Sequence, residues 1–261
     1  MKSAVRSVGE IVVIGGGCYG AFYTRQLETA RARGKITYHR LLVVDRDPAC
    51  RVATGPSAEG RELVFQEWGG FLDGYLDGAL AGGRGSDPDG NFIVPSPLMP
   101  HLLYQWLLRR AQARWPDRRF APRSSPVAAG TPYETVAPDG TRYVSYADWL
   151  CPTHCVEPAT CPVIRAPRTW EVAEAAERLA GRLAGDGPTV GPVLFECRHL
   201  VYGVGAIPLR QVLDGEAVLA QAASAGGPVD VVVGTVSACH GALNLIHVPA
   251  AAVAAGGTFG R

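Results

Sequence analysis

Lysine is almost missing from these 261 residues: it occurs only at Lys2 and Lys35, and every other formal cation is arginine. Charge of either sign is thin as well, at 19% of residues, and the formal net charge is +1. A chain so close to neutral lacks the basic face that a dedicated nucleic-acid binder needs, so no nucleic-acid partner is expected. Long apolar runs are also lacking. The most membrane-like stretch, residues 229–255, is interrupted by Asp230, His240, Asn244, His247 and Pro249, so it does not read as a bilayer span, and no membrane partner is expected. Residues 1–10 lead into a glycine-rich turn without the apolar core or the small-residue cleavage site of a leader, which predicts a cytoplasmic protein. The 32 glycines follow no period, which excludes collagen-like and repeat architectures.

What is present is ample core material. Hydrophobic residues make up 47% of the chain, enough for one generous α/β domain or one domain with an embedded subdomain. Residues 10–14 and 41–44 are short β-branched or leucine-rich runs typical of strands buried on both faces, with a helix over 21–32 between them. Further strands are predicted at 62–65 and 91–95. Ser96 and Pro97 suit the start of a helix that should run to about Trp115, where Pro116 stops it. The middle changes character: proline is frequent, and a turn at 137–140 joins strands at 133–136 and 142–146. Thr169 is placed to cap a helix whose stripe is Val172, Ala176, Leu179 and Leu183. Strands at 193–197 and 229–234 then flank a helix at 209–223. The expected fold is α/β: a Rossmann-like, mostly parallel sheet with an inserted hairpin and a cysteine-rich loop. Its parts are an N-terminal dinucleotide-binding segment (1–116), the insertion (117–168), and a C-terminal α/β segment (169–261) completing the same sheet.

Gly15-Gly16-Gly17-Cys18-Tyr19-Gly20 carries the G-x-G-x-x-G spacing between the first strand and first helix, and the second strand ends in Asp45. Gly15 permits a tight turn, Gly17 lets backbone approach a pyrophosphate, and Gly20 lets helix and strand pack closely, while free N–H groups of the helix start meet negative charge. Asp45 suits the ribose hydroxyls of an adenosine; Arg46 beside it suits a 2′-phosphate, so NAD and NADP both stay open. Residues 10–47 resemble Rossmann-type NAD(P)-binding proteins, and more loosely TrkA-N-type domains and precorrin-2 dehydrogenases. The resemblance implies Gly15, Gly17, Gly20 and Asp45 as cofactor contacts.

The second unusual feature is cysteine. Cys151, Cys155 and Cys161 lie within eleven positions together with His154, punctuated by Pro152, Pro158 and Pro162, which stiffen the loop. In a reducing compartment such a cluster reads as metal-binding or redox-active before it reads as disulfides. Thiolates suit an iron–sulfur centre or zinc, although the gaps match neither ferredoxin runs nor zinc-ribbon knuckles. Cys239, after the 229–234 strand, is a candidate fourth ligand. Cys18, Cys50 and Cys197 are expected to be small buried hydrophobes. His240 and His199 are the candidate proton donors, and Arg165, Arg168 and Arg198 are expected at a solvated surface rather than on a substrate. Trp149 and Trp170 are expected to anchor the loop.

The glycine turn, Asp45, Ser96, the cysteine loop, Cys197 with His199, and Cys239 with His240 all follow predicted strands, whose carboxyl ends share one rim in a parallel sheet. The sequence therefore predicts an oxidoreductase using NAD or NADP, with a cysteine-ligated metal or iron–sulfur centre beside the nucleotide, acting on a small molecule or a redox partner protein; a homodimer is compatible with it. A non-catalytic nucleotide sensor with a structural zinc clip is the alternative.

Overall fold

The computed structural model describes residues 5–83 and 87–251. Its first sheet starts from the buried runs. Strands β1 (Arg6–Ile14) and β2 (Ile36–Asp45) run parallel with α1 (Cys18–Ala32) between them. β3 (Arg61–Phe65) adds parallel to β2, and β4 (Phe92–Val94) parallel to β1, with α2 (Trp68–Leu80) in the connection. The order is therefore β3-β2-β1-β4. Alternation along β1 sends Ile11 and Val13 into a cluster with Leu27 and Ala30 of α1, and Val12 and Ile14 to the opposite face.

The expectation of one continuous, mostly parallel sheet is corrected. After α3 (Leu102–Arg114), the strands β5 (Ala121–Arg123), β6 (Tyr133–Val136) and β7 (Arg142–Ser145) begin a second sheet. Past α4 (Val172–Leu183), that sheet receives β8 (Thr189–Glu196), and its order is β6-β7-β12-β11-β8, with β5 also pairing β12. Here β11 is Val229–Val236, β12 is His240–Val248, and only the β8–β11 pair is parallel. The physical reason is a hairpin: β9 (Arg198–Val201) and β10 (Val204–Pro208) turn the chain back, and β10 lies antiparallel on β4. That pairing uses the edge of β4, while β11 is already flanked by β8 and β12, so the two sheets stay separate.

They are joined through helices. α2, α3 and α5 (Leu209–Ser224) form a middle layer whose side chains share one core with Val12 and Ile14 of the first sheet and Phe195, Val231 and Val233 of the second. Outside, α1 covers the first sheet and α4 the second. The inserted hairpin is thus part of a sheet rather than an appendage.

Two helix starts differ from expectation. α3 begins at Leu102, not near Pro97, because Pro100 has no N–H to return to Ser96, and the segment closes as a turn, Met99 N–H to Ser96 O. α4 begins at Val172 rather than after Thr169. Arg168 holds the Trp170 carbonyl and the Glu171 carboxylate, and Val172 N–H donates to Ala238 O, which keeps 168–171 extended.

Candidate functional site

The glycine turn has the stereochemistry its spacing requires. Gly15 has φ +92°, a backbone region closed to most side chains. A Cβ on Gly20 would run into the Gly15 carbonyl oxygen, whereas one on Gly17 would meet nothing. Gly17 is the N-cap of α1 and no side chain caps that end, so space is open where the first-turn amides emerge. Asp45 is used locally. Its Oδ2 accepts the Gly16 N–H at 2.6 Å, its Oδ1 accepts the Asp47 N–H at 2.9 Å, and the side chain is buried. Both of its oxygens thus hold backbone amides of the turn and of the strand end. Arg46 is exposed and pairs with Glu67 at 3.4 Å. Cys50 is buried under Gly16, as expected, but Cys18 is exposed, with Arg51 Nη1 at 3.6 Å from its sulfur. A pocket of about 900 Å³ opens beside α1, lined by Arg25, Arg51, Thr153 and His154 among others.

The cysteine loop is tied to the turn between β11 and β12. Glu157, held at φ +48°, accepts the N–H groups of Ala238 (2.9 Å) and Cys239 (3.3 Å) through its two carboxylate oxygens. The loop also closes on itself, Cys161 N–H to Ala166 O and Arg168 N–H to Ala159 O. Trp170 anchors this assembly as expected: its ring stacks on Tyr146 at 6.0 Å and its indole N–H donates to Cys239 Sγ at 3.3 Å. Glu157 N–H donates to Cys155 Sγ at 3.4 Å. Arg168 and Arg198 are engaged by Glu171, and Arg198 also by Glu196, so neither is a free carboxylate clamp.

These pieces meet the glycine-turn helix in one cleft of about 850 Å³. Tyr19 and Tyr23 of α1 form one side, Ser96 after β4 another, and Cys151, Cys155, Glu157 and His240 the wall opposite; Cys197 and His199 also line it. Thr235 contributes a buried hydroxyl with no hydrogen-bond partner among the described residues. Of the strand ends expected to converge, those at Ser96, Cys197 and His240 meet here, supplied by two sheets, whereas Gly15, Gly17, Gly20 and Asp45 do not line the cleft. Cys161 and Cys239 lie buried rather than on the cleft surface.

His240 is oriented by Ser145. Ser145 Oγ stands 2.7 Å from Ala147 O and 2.9 Å from His240 Nδ1; with its proton on Ala147 O, the hydroxyl accepts from Nδ1–H, the tautomer that leaves Nε2 with a lone pair. The lone pair of Nε2 then points at Cys151 Sγ, 3.7 Å away. Burial lowers the His240 pKa from 6.5, partly offset by Glu157, and burial together with Arg6 lowers that of His199. Both shifts favour the neutral imidazole. His199 Nε2 already accepts the Gly203 N–H at 3.2 Å.

Burial favours the protonated thiol at Cys151, Cys197 and Cys239. Burial, then Cys155 and Cys161, raise the Cys151 pKa; burial pushes Cys239 up to about 11 despite its bond from Trp170, with Glu157 and Cys151 adding to the rise. Burial, with Glu157, puts Cys197 at about 12, and burial followed by Cys197 puts Tyr23 at about 12. Of the four cysteines expected as ligands, Cys155, Cys161 and Cys239 each lie within electrostatic reach of Cys151. Among the described residues, no three His, Cys, Asp or Glu side chains stand at the spacing of a metal site.

Sequence reasoning missed Glu157, Ser145, Tyr19 and Tyr23. Only Glu157 carried a signal, as a carboxylate inside a proline-stiffened thiol loop. Among the described residues, no helix is long and apolar enough to cross a membrane. No curated protein and no solved structure matches the chain. Residues 103–249, more than half of the chain, match the AF_1314_C family, described as "Uncharacterized protein, C-terminal domain", and the chain belongs to that family.

Proposed function

We propose that this protein is an oxidoreductase that binds NAD or NADP along its glycine turn and carries out chemistry in the cleft, beside a metal held by the cysteine loop. One observation carries the reading: a single cleft is lined both by Tyr19 and Tyr23, just past the glycine turn, and by Cys151, Cys155 and His240. Two others support it. The order β3-β2-β1-β4 is that of a Rossmann-like half, in which ligands enter where neighbouring strands send their connections to opposite faces; here that is between β1, followed by Gly15, and β4, followed by Ser96. The open space at Gly17 admits a pyrophosphate at the α1 N-terminus. Asp45, being engaged with backbone, contributes by keeping the turn in shape.

The donor chemistry at the loop fits a thiol-binding metal, zinc or iron–sulfur. Cys155 and Cys239 each accept an N–H bond, the outer-shell support that a ligating thiolate needs. Such a centre would supply an electron relay or a Lewis acid; the chain's part is to hold it, to exclude water with Tyr23 and Trp149, and to present neutral His240 and His199.

The test is titration of the purified protein with NADH and NADPH, followed by indole fluorescence and by hydride oxidation with small carbonyl compounds and redox dyes. Saturable binding of either nucleotide, lost in Gly20→Ala, is expected. Absence of binding at millimolar nucleotide refutes the reading. Binding without turnover of any acceptor would make the protein a nucleotide sensor.

A further inference from the structure

The cleft brings a thiol and an imidazole into contact. Cys151 Sγ lies 3.7 Å from His240 Nε2, and both side chains line the cavity. With Nδ1–H given to Ser145 Oγ, Nε2 keeps a lone pair for the thiol proton. A nucleophile, a base within its reach and a third group that orients the base are the parts of an activated thiol. Thr235 adds to the same cleft a buried hydroxyl that has no partner among the described residues and is available to a substrate oxygen.

The surroundings of the pair select against charge. Leu98 and Leu150 line the cleft while 71% and 94% exposed, and Tyr133, Tyr143 and Val156 are exposed there too. Exposed apolar side chains gathered along a groove mark a place for an apolar ligand. Among the described residues that line the cleft, the carboxylates are Glu134 and Glu157, and there is no lysine or arginine. Glu134 is held by the amides of Ala129, Gly130 and Thr131, and Glu157 by those of Ala238 and Cys239, so both carboxylates stay in place. An anionic substrate would leave water here with no cation to receive it; an uncharged one meets no such penalty.

We propose that Cys151 is a covalent nucleophile, with His240 as its base, for uncharged apolar aldehydes bound in the cleft. Cys151 Sγ bonds to the carbonyl carbon, and the C=O π pair moves onto the oxygen. The thiol proton passes through His240 Nε2 to that oxygen, which gives a hemithioacetal. Nothing is oxidised or reduced in this step, and it is reversible. The inference rests on the proposed function for what becomes of the held carbonyl, and it names the substrate class of that site. Cys151 serves as nucleophile, and Cys155 and Cys239 remain for a metal.

The experiment uses the reduced full chain and no nucleotide. Alkylation by iodoacetamide, and by its anionic counterpart iodoacetate, is followed at each cysteine by peptide mass spectrometry. Cys18, exposed beside Arg51 and outside the cleft, is the internal standard. The preference for iodoacetamide over iodoacetate should be at least about 10-fold larger at Cys151 than at Cys18. His240→Ala should slow Cys151 by about 100-fold and leave Cys18 unchanged, and added imidazole should restore much of the Cys151 rate. Benzaldehyde should protect Cys151 from iodoacetamide, whereas para-carboxybenzaldehyde, the same ring with a negative charge, should not. An unchanged Cys151 rate in His240→Ala, a loss that imidazole does not repair, or a charge preference no larger than that of Cys18 overturns the proposal. So does equal protection by both aldehydes or by neither. A protein that gives the expected results yet ignores NADH and NADPH keeps this nucleophile and loses the oxidoreductase.

Discussion

Glu157→Ala tests how the site is assembled. The native residue sits at φ +48°, where a non-glycine residue costs about 1–2 kcal/mol, so its side chain must return more than that. It does so by accepting two backbone N–H groups, from Ala238 at 2.9 Å and Cys239 at 3.3 Å, in a turn where both residues are at most 5% exposed. Truncation leaves two buried donors unpaired at about 1–3 kcal/mol each, with the longer bond at the low end, so the expected loss is about 3 kcal/mol. For a chain of this length that lowers Tm by roughly 6–12 °C. Glu157→Gln keeps one carbonyl acceptor and should lose about half as much. The assay is thermal unfolding at equal metal content, since bound metal raises Tm by mass action, together with hydrogen exchange at amides 238 and 239. A Tm within 2 °C of the parent, with unchanged protection at those amides, would refute the reasoning.

Gly20→Ala forces a methyl group against the Gly15 carbonyl oxygen, and parting α1 from β1 should cost about 1–3 kcal/mol, read by urea unfolding. Glu216, buried on α5, meets Arg114 at 2.5 Å and Arg110 at 3.7 Å; because Arg114 is half-exposed and rehydrates, Glu216→Ala should cost about 1–3 kcal/mol, and much of that should disappear in an Arg114→Ala background. Burial works against the charge of Glu134, yet the amides of Thr131, Ala129 and Gly130 and the Arg142 guanidinium hold its pKa below the ordinary 4.5. Its contribution is therefore complete above about pH 4.5 and is lost as pH falls through the lowered value, so Glu134→Gln should flatten the acid limb of stability measured by urea at pH 7, 5 and 4.

Periodicity exposed the elements that bury one kind of side chain. The runs at 10–14 and 41–44 are apolar on both faces, and β1 and β2 stand there. The hairpin at 133–146 was legible from its turn residues, and α5 and β11 from their stripes. What stayed hidden depends on partners far along the chain. β12 carries Gly241, Ala242 and Asn244, poor strand formers on their own; in the fold β11 pairs with residues 241–248 of it, and β7 and β5 cover its other edge, which decides the matter. β10 is short and holds a glycine, and only its pairing with β4 and β9 makes it a strand. The division into two sheets follows from that one hairpin.

The site was legible as a set of residue types and not as a set of pairs. Cysteines at 151, 155 and 161 and the Cys239–His240 dipeptide announce thiol chemistry, and the alternation of a strand already says that neighbours such as Cys239 and His240 do not face each other. Which thiol His240 faces is a long-range fact. The β7–β12 register sets Ser145 opposite His240, and Ser145 is the last residue of β7, so the same register that orients the imidazole also delivers the chain, six residues later, to Cys151. A one-residue slip between β7 and β12 would turn His240 to the other face of the sheet and dissolve the pair. The Ser145 hydroxyl ties the imidazole to the chain leaving β7 as well, since it also bonds the Ala147 carbonyl and accepts the Ala147 N–H.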